Sequence, residues 1–182
     1  ATMPGPTSGR PIVVVESRDP IAPELAGLRE LPEPVDPERP FVLLDTETTG
    51  LDSMRADLVG LSFCADDAVA WYVPVAHQVL EPQLGWSEVR NTVGPVLEDA
   101  ATGKTGQNLK YDLKVLHRHG VRLAGIDGDT LLADYLLNPD RRSHKLDDLA
   151  LVYLNHKMIP FSDAVPKGGT FDQVPLERAC DY

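Results

Sequence analysis

From Phe41 onward the chain alternates apolar blocks with short polar breakers. Phe41-Val42-Leu43-Leu44 reads as a buried strand ending in the acidic Asp45-Thr46-Glu47. Residues 58–64 and 69–75 read as two more strands, separated by the turn Ala65-Asp66-Asp67. Links this short imply an antiparallel meander. The period then changes. Val89, Val93, Val96 and Leu97 recur at helical spacing over residues 86–97, with Ser87 near the start. A link through residues 102–106 leads to a second helix, marked by Leu109, Leu113, Leu116 and His117 and closed at Gly120. Asp129 caps a third helix running to Leu137, which Asn138-Pro139 stops. A fourth presents Leu146, Leu149, Ala150, Tyr153 and Leu154 on one face, and a last helix begins near Pro175 and runs to Tyr182. A meander followed by helix–strand alternation predicts an α/β fold with a mixed sheet.

The first 40 residues differ. They hold nine of the 16 prolines, and the run from Leu31 to Pro40 cannot propagate a helix. Residues 1–40 read as a proline-rich linker with a short strand at residues 11–15 and a modest helix at 21–31, and 41–182 as the folded domain. The whole is 182 residues, enough for one domain with a tail. Cys64 and Cys180 are too few for a disulfide framework and too isolated for a zinc site, which suits a reducing, cytoplasmic compartment. No apolar run approaches a membrane span. With 28 acids against 17 bases the net charge is −11, which by itself argues against general nucleic-acid binding.

Two acidic segments change that picture. Asp45 and Glu47 lie two apart on a strand, so they share a face about 6.5 Å apart. Carboxylates at the end of an apolar strand call for a compensating cation, and hard divalent ions with oxygen ligands supply one. An acidic turn would place the same residues there. In Gly106-Gln107-Asn108-Leu109-Lys110-Tyr111-Asp112 a strand ends, an amide pair opens a helix, and Asp112 shares a helix face with Asn108. The simpler alternative makes Asn108 an N-cap and Asp112 a solvated acid.

Taken together, Leu-Leu-Asp45-Thr46-Glu47-Thr-Thr-Gly-Leu51-Asp and Gly-Gln107-Asn108-Leu-Lys-Tyr111-Asp112 resemble the first two motifs of the DEDD (DnaQ-like) 3′–5′ exonucleases. Leu-Val-Gly-Leu-Ser-Phe, Tyr-Val-Pro-Val-Ala-His77, Asp129-Thr130, Ser143-His144-Lys-Leu-Asp147 and Thr170-Phe-Asp-Gln-Val are similar to the proofreading domain of bacterial DNA polymerase I in particular. The resemblance runs from Phe41 to the end. It implies a ribonuclease-H-like, mixed five-stranded sheet flanked by helices. The implied activity is removal of nucleoside 5′-monophosphates from a DNA 3′ end.

The resemblance also implies two divalent ions, Mg2+ or Mn2+ with Zn2+ as an alternative at one site, held by Asp45, Glu47 and Asp112. Tyr182 would orient the attacking water. Thr46, Leu51, Gln107, Asn108, Tyr111 and Phe161 would meet the substrate, Leu51 as a wedge against the terminal base. The partners implied are a frayed primer terminus and a covalently following polymerase domain, in a monomer with no membrane association. The family's third motif has a fourth acid four residues past its tyrosine. This chain carries Tyr182 without it, so the domain reads as incomplete and weak or inactive. A ribonuclease D-like exoribonuclease and an inactive structural domain of the same fold are the alternatives. A phosphate-binding loop at Gly103-Lys104-Thr105 fails, because Glu98 stands where the loop needs glycine.

Overall fold

The computed structural model describes residues 15–17, 40–64 and 70–182. The predicted helix at 21–31, the turn at Ala65-Asp66-Asp67 and all but Val15 of the strand predicted at 11–15 lie outside the described residues. Strands β1 (Val15–Ser17), β2 (Phe41–Thr48), β3 (Leu58–Cys64), β4 (Ala70–Pro74), β5 (Gly103–Gly106) and β6 (Ile126–Asp129) form one sheet in the order β1-β4-β3-β2-β5-β6. The β1, β4, β3 and β2 pairings are antiparallel, while β5 and β6 add to β2 in parallel. Strands β2 to β6 are the mixed sheet the sequence implies. The short β1, from the proline-rich stretch, adds a sixth strand at the edge.

Helices α1 (Trp86–Glu98) and α2 (Leu109–Arg118) cover one face. Leu44, Leu58 and Leu61 of the sheet pack there against Val89 and Leu97 of α1, Val115 and Leu116 of α2, and Val121 and Leu123. Each such buried side chain contributes roughly 1.5–3 kcal/mol. The predicted stripe of α2 is corrected. Leu113 and His117 are exposed, and the inward positions are Leu109, Asp112, Val115 and Leu116. On α1, Val96 likewise faces out.

Helices α3 (Thr130–Leu137) and α4 (Leu146–Leu154) flank an apolar cleft of about 240 Å³. The short α5 (Phe161–Ala164), a 3-10 turn at Phe171–Gln173 and α6 (Leu176–Asp181) lead to the opposite face. Val165, Phe171, Val174 and Ala179 form a second core there with Val59 and Tyr72.

Two irregularities shape the tip of β2. Its register against β3 shifts between Glu47, opposite Gly60, and Thr48, opposite Leu58, leaving Val59 as the extra residue of a bulge. The strand is also less buried than its apolar run predicts. Leu44 and Thr46 point into the core, whereas Phe41, Leu43 and Asp45 lie on an open face. Asp45 and Glu47 share that open face.

Candidate active site

Parallel pairing of β5 beside β2 delivers the chain to the N-terminus of α2 next to the β2 tip. The crossing is tight: a Cβ on Gly106 would stand 2.6 Å from the Leu44 carbonyl oxygen, so only glycine fits. Asn108 then adopts a left-handed conformation (φ 57°), which asparagine tolerates, and its side chain does not cap the helix. Asp129 from the end of β6 takes that role. Its carboxylate accepts from the backbone N–H groups of Asn108 and Leu109 at 3.0 and 2.9 Å. It also caps α3, as predicted, through Leu131 and Leu132. One acid therefore fixes two helix starts.

With α2 so placed, Asp112 is buried one turn in and reaches the residue between the two strand acids. Thr46 donates to Asp112 Oδ1 from its backbone N–H at 3.0 Å and from its hydroxyl at 2.5 Å. Asp45 and Glu47 flank that threonine on the open face. Their mutual influence shows in their protonation. Although the Asp45 side chain remains open to solvent, the protein packed around it, then the charge of Asp112, pushes its pKa up to about 7, against a partial offset from the Thr46 backbone. Burial, then Asp45 and Asp112, pushes Glu47 up to about 8. Asp112 is raised by burial despite the Thr46 hydrogen bonds. Among the described residues no Lys, Arg or His forms an ion pair with any of the three. Nor do three ligating side chains close around a single point. The donor set is all hard oxygen with a surplus of negative charge, which fits a divalent cation entering from the open face.

Tyr182, just beyond α6, comes to the same place. Its phenol is pushed up to about 12 by burial, then by the charges of Glu47, Asp147 and Asp45. It packs against Phe171 at 5.4 Å and against the half-exposed Phe161 at 6.4 Å between ring centroids. Leu51 is 98% exposed on the loop after β2. Tyr111 pins that loop, donating to the Gly50 carbonyl and bonding the Thr48 hydroxyl at 2.6 Å. Gln107 faces away from the acids. Its amide donates to the His144 carbonyl at 2.8 Å and accepts from the Thr130 hydroxyl. Thr46, Gln107 and Tyr111 are thus engaged in holding Asp112, the His144 segment and the Leu51 loop.

Sequence reasoning passed over three contributors. Gly60, opposite Glu47, has no room for a Cβ beneath Tyr72. Tyr72 itself is buried against the acids, which with burial raise its pKa. Asp147 contributes charge at Tyr182. All three stand in quoted wording, Gly60 in Leu-Val-Gly-Leu-Ser-Phe, Tyr72 at the start of Tyr-Val-Pro-Val-Ala-His77 and Asp147 at the end of Ser143–Asp147, but none was given a role. Lys104, of the rejected phosphate loop, is wholly buried, and its ammonium donates to the carbonyls of Asp99 and Thr102.

The family model described as 3′-5′ exonuclease matches residues 28–182. The chain belongs to that 3′–5′ exonuclease family. DNA polymerase I of Pseudomonas aeruginosa is 40% identical over 152 residues, covering 80% of this chain and 17% of the relative. The chain thus spans about a sixth of that relative's length. The solved POL domain of Pol1 from M. smegmatis, in complex with DNA primer-template and dNTP, superposes with a TM-score of 0.52 at 29% identity. That match covers 67% of this chain and 20% of the other. Brucella melitensis NrnC, at 18% identity and a TM-score of 0.59 over 80% of this chain and 65% of its own, shares the fold. The family, fold and enzyme class implied by the motifs hold: this is a 3′–5′ exonuclease domain of the DNA polymerase I type. Among the described residues, no helix is long and apolar enough to cross a membrane.

Proposed function

We propose that this domain hydrolyses the terminal phosphodiester of a DNA 3′ end, releasing nucleoside 5′-monophosphates, with residues 41–182 as the catalytic unit. The observation that carries this reading is Asp112 meeting Thr46 between Asp45 and Glu47, three acids that form no ion pair with a protein cation among the described residues. Asp45, Glu47 and Asp112 would hold two divalent ions, Mg2+ or Mn2+, with Zn2+ as an alternative at one site. Bound there, the ions would supply a metal-activated hydroxide and offset charge on the leaving 3′ oxygen.

The protein's own groups do the rest. Thr46 fixes the Asp112 carboxylate by two hydrogen bonds to Oδ1, and Oδ2 would be the oxygen offered to an ion. Tyr182 keeps its proton at neutral pH, so it orients water as a hydrogen-bond donor and is not the base. Leu51, exposed on the loop that Tyr111 pins, would wedge against the terminal base, and the half-exposed Phe161 would stack on the strand end. Asn108, whose amide does not cap α2, would meet the strand end at the same helix start.

The setting follows the same reading: a bacterial cytoplasm, a covalently following polymerase domain, and a frayed primer terminus as substrate. The proline-rich stretch before residue 41 serves as linker apart from Val15–Ser17, which joins the sheet as β1. With a net charge of −11 the domain binds DNA through few phosphate contacts, and affinity falls only shallowly with salt. The ribonuclease D-like alternative shares the acids, and the relatives at 30% identity or more favour DNA.

The test is digestion of matched 5′-labelled DNA and RNA in Mg2+. The motif calls for a fourth acid four positions past Tyr182. The assay is therefore run on this chain and on a version carrying an aspartate there, which is expected to be the faster. Stepwise shortening of DNA that Asp45→Ala abolishes is the expected result. Equal loss of RNA would move the assignment to an exoribonuclease, and no cleavage in either version would overturn it.

A further inference from the structure

A row of rings runs from β4 to the C-terminal helix behind the acids. The Tyr72 phenol lies across Gly60, where a Cβ would stand 2.0 Å from its hydroxyl, and Gly60 is paired with Glu47. The Tyr72 hydroxyl meets His77 Nε2 at 2.6 Å, and His77 Nδ1 meets the Val174 carbonyl at 2.9 Å. A carbonyl only accepts, so Nδ1 carries the proton and Nε2 accepts from Tyr72. Burial lowers the His77 pKa against opposing effects of Val174 and Asp172, which keeps the ring neutral.

The backbone of His77 is clamped by one side chain. Its N–H donates to Gln83 Oε1 at 2.7 Å, and its carbonyl accepts from Gln83 Nε2 at 2.9 Å. The next residue ties to the 3-10 turn, Gln78 N–H donating to the Asp172 carbonyl at 2.6 Å. The rings continue from His77 to Phe171 at 5.9 Å and from Phe171 to Tyr182 at 5.4 Å.

We infer that His77 is a positioning residue for the nuclease reaction. Through Tyr72 it fixes the wall behind Glu47, and through Val174 and Phe171 it fixes the helix that presents Tyr182. The inference rests on the exonuclease reading of the same site. His77 forms no hydrogen bond with Asp45, Glu47 or Asp112 among the described residues, so it acts through its neighbours. The position needs a planar group that donates at one end and accepts at the other. Histidine does this, glutamine does so with similar spacing, and alanine does neither.

The test compares His77→Ala, His77→Gln and Tyr72→Phe with Val165→Ala, a packing control from the same apolar cluster. Single-turnover release of the 3′ nucleotide, Mn2+ affinity and the Tyr182–Phe171 ring contact by NMR are read alongside Tm. His77→Ala is expected to lose about tenfold or more in kcat with KM within twofold, and to weaken the ring contact. His77→Gln should recover most of both, and Tyr72→Phe should fall between. Val165→Ala should lower Tm without moving the rate per folded molecule or the ring contact. If His77→Ala keeps its rate and ring contact, or Val165→Ala loses both in step with Tm, the positioning role is overturned. If neither this chain nor the version with the added aspartate cleaves, the nuclease reading fails separately. Ring contact and Mn2+ affinity across the variants then decide the positioning.

Discussion

Two buried aspartates, on neighbouring helices, are treated in opposite ways. Asp134 on α3 is surrounded by partners: His144 Nδ1 at 2.6 Å, the Tyr153 hydroxyl at 2.7 Å, Asn138 Nδ2 at 2.9 Å and an ion pair with Arg141 at 3.1 Å. Burial would raise its pKa, but those hydrogen bonds and the Arg141 charge outweigh it and hold the carboxyl below its usual range. Asp112 on α2 has the hydrogen bonds from Thr46, but burial, with the charge of Asp129, outweighs them, so its pKa is raised. Burial alone therefore does not distinguish a functional acid from a structural one. Compensation does. Asp134 is finished within the protein, where it locks the segment between α3 and α4, while Asp112, Asp45 and Glu47 await charge from outside.

The contrast breaks most sharply at Asp112. Asp112→Asn is expected to cost about a thousandfold or more in nuclease rate, several kcal/mol of transition-state stabilisation, while Tm holds or rises. Paired rate and melting measurements check it. Next comes the mirror experiment. Asp134→Ala strands His144 and Arg141 and should lower Tm by several degrees, leaving the rate per folded molecule within a few-fold. Thermal melts beside active-fraction assays would expose the account if the two substitutions behaved alike.

The pH dependence has opposite signs at the two places. At Asp45, Glu47 and Asp112 the folded state holds protons more tightly than the unfolded chain, so stability falls as pH rises from about 4 through 7 to 8. Asp134 is lowered, so its contribution is present above the unfolded pKa and is lost as pH falls through the folded value. Melting in chelator should therefore show Tm declining between pH 5 and 8, and Glu47→Gln should flatten that decline. A smaller effect is expected at Thr46→Val. It removes one charge-directed hydrogen bond worth roughly 1.5–3 kcal/mol and should weaken Mn2+ binding by about tenfold, as a titration would read.

Much of this was legible because it is local. The apolar run before Asp45, the amide pair before Asp112 and the Asp129 cap announce their elements through spacing and neighbours. Other features depend on what lies across the fold. The α2 stripe misled because an acid occupies an inward position, Asp112 standing where the helical period expects a core residue. Phe41 and Leu43 read as buried because nothing in an apolar run tells which face of the sheet stays open for the site. The Val59 bulge, the second cap by Asp129 and the enclosure of Asp134 are agreements between residues on different elements of the fold. No local period records them.

The most direct measurement of the central claim is calorimetric titration of the protein with Mn2+ at pH 7 in two buffers of different ionisation enthalpy. Binding with net proton release, reduced in Glu47→Gln and Asp112→Asn and unchanged in Asp134→Asn, is the expected result. Binding without proton release, or release that survives loss of Glu47 and Asp112, would contradict it.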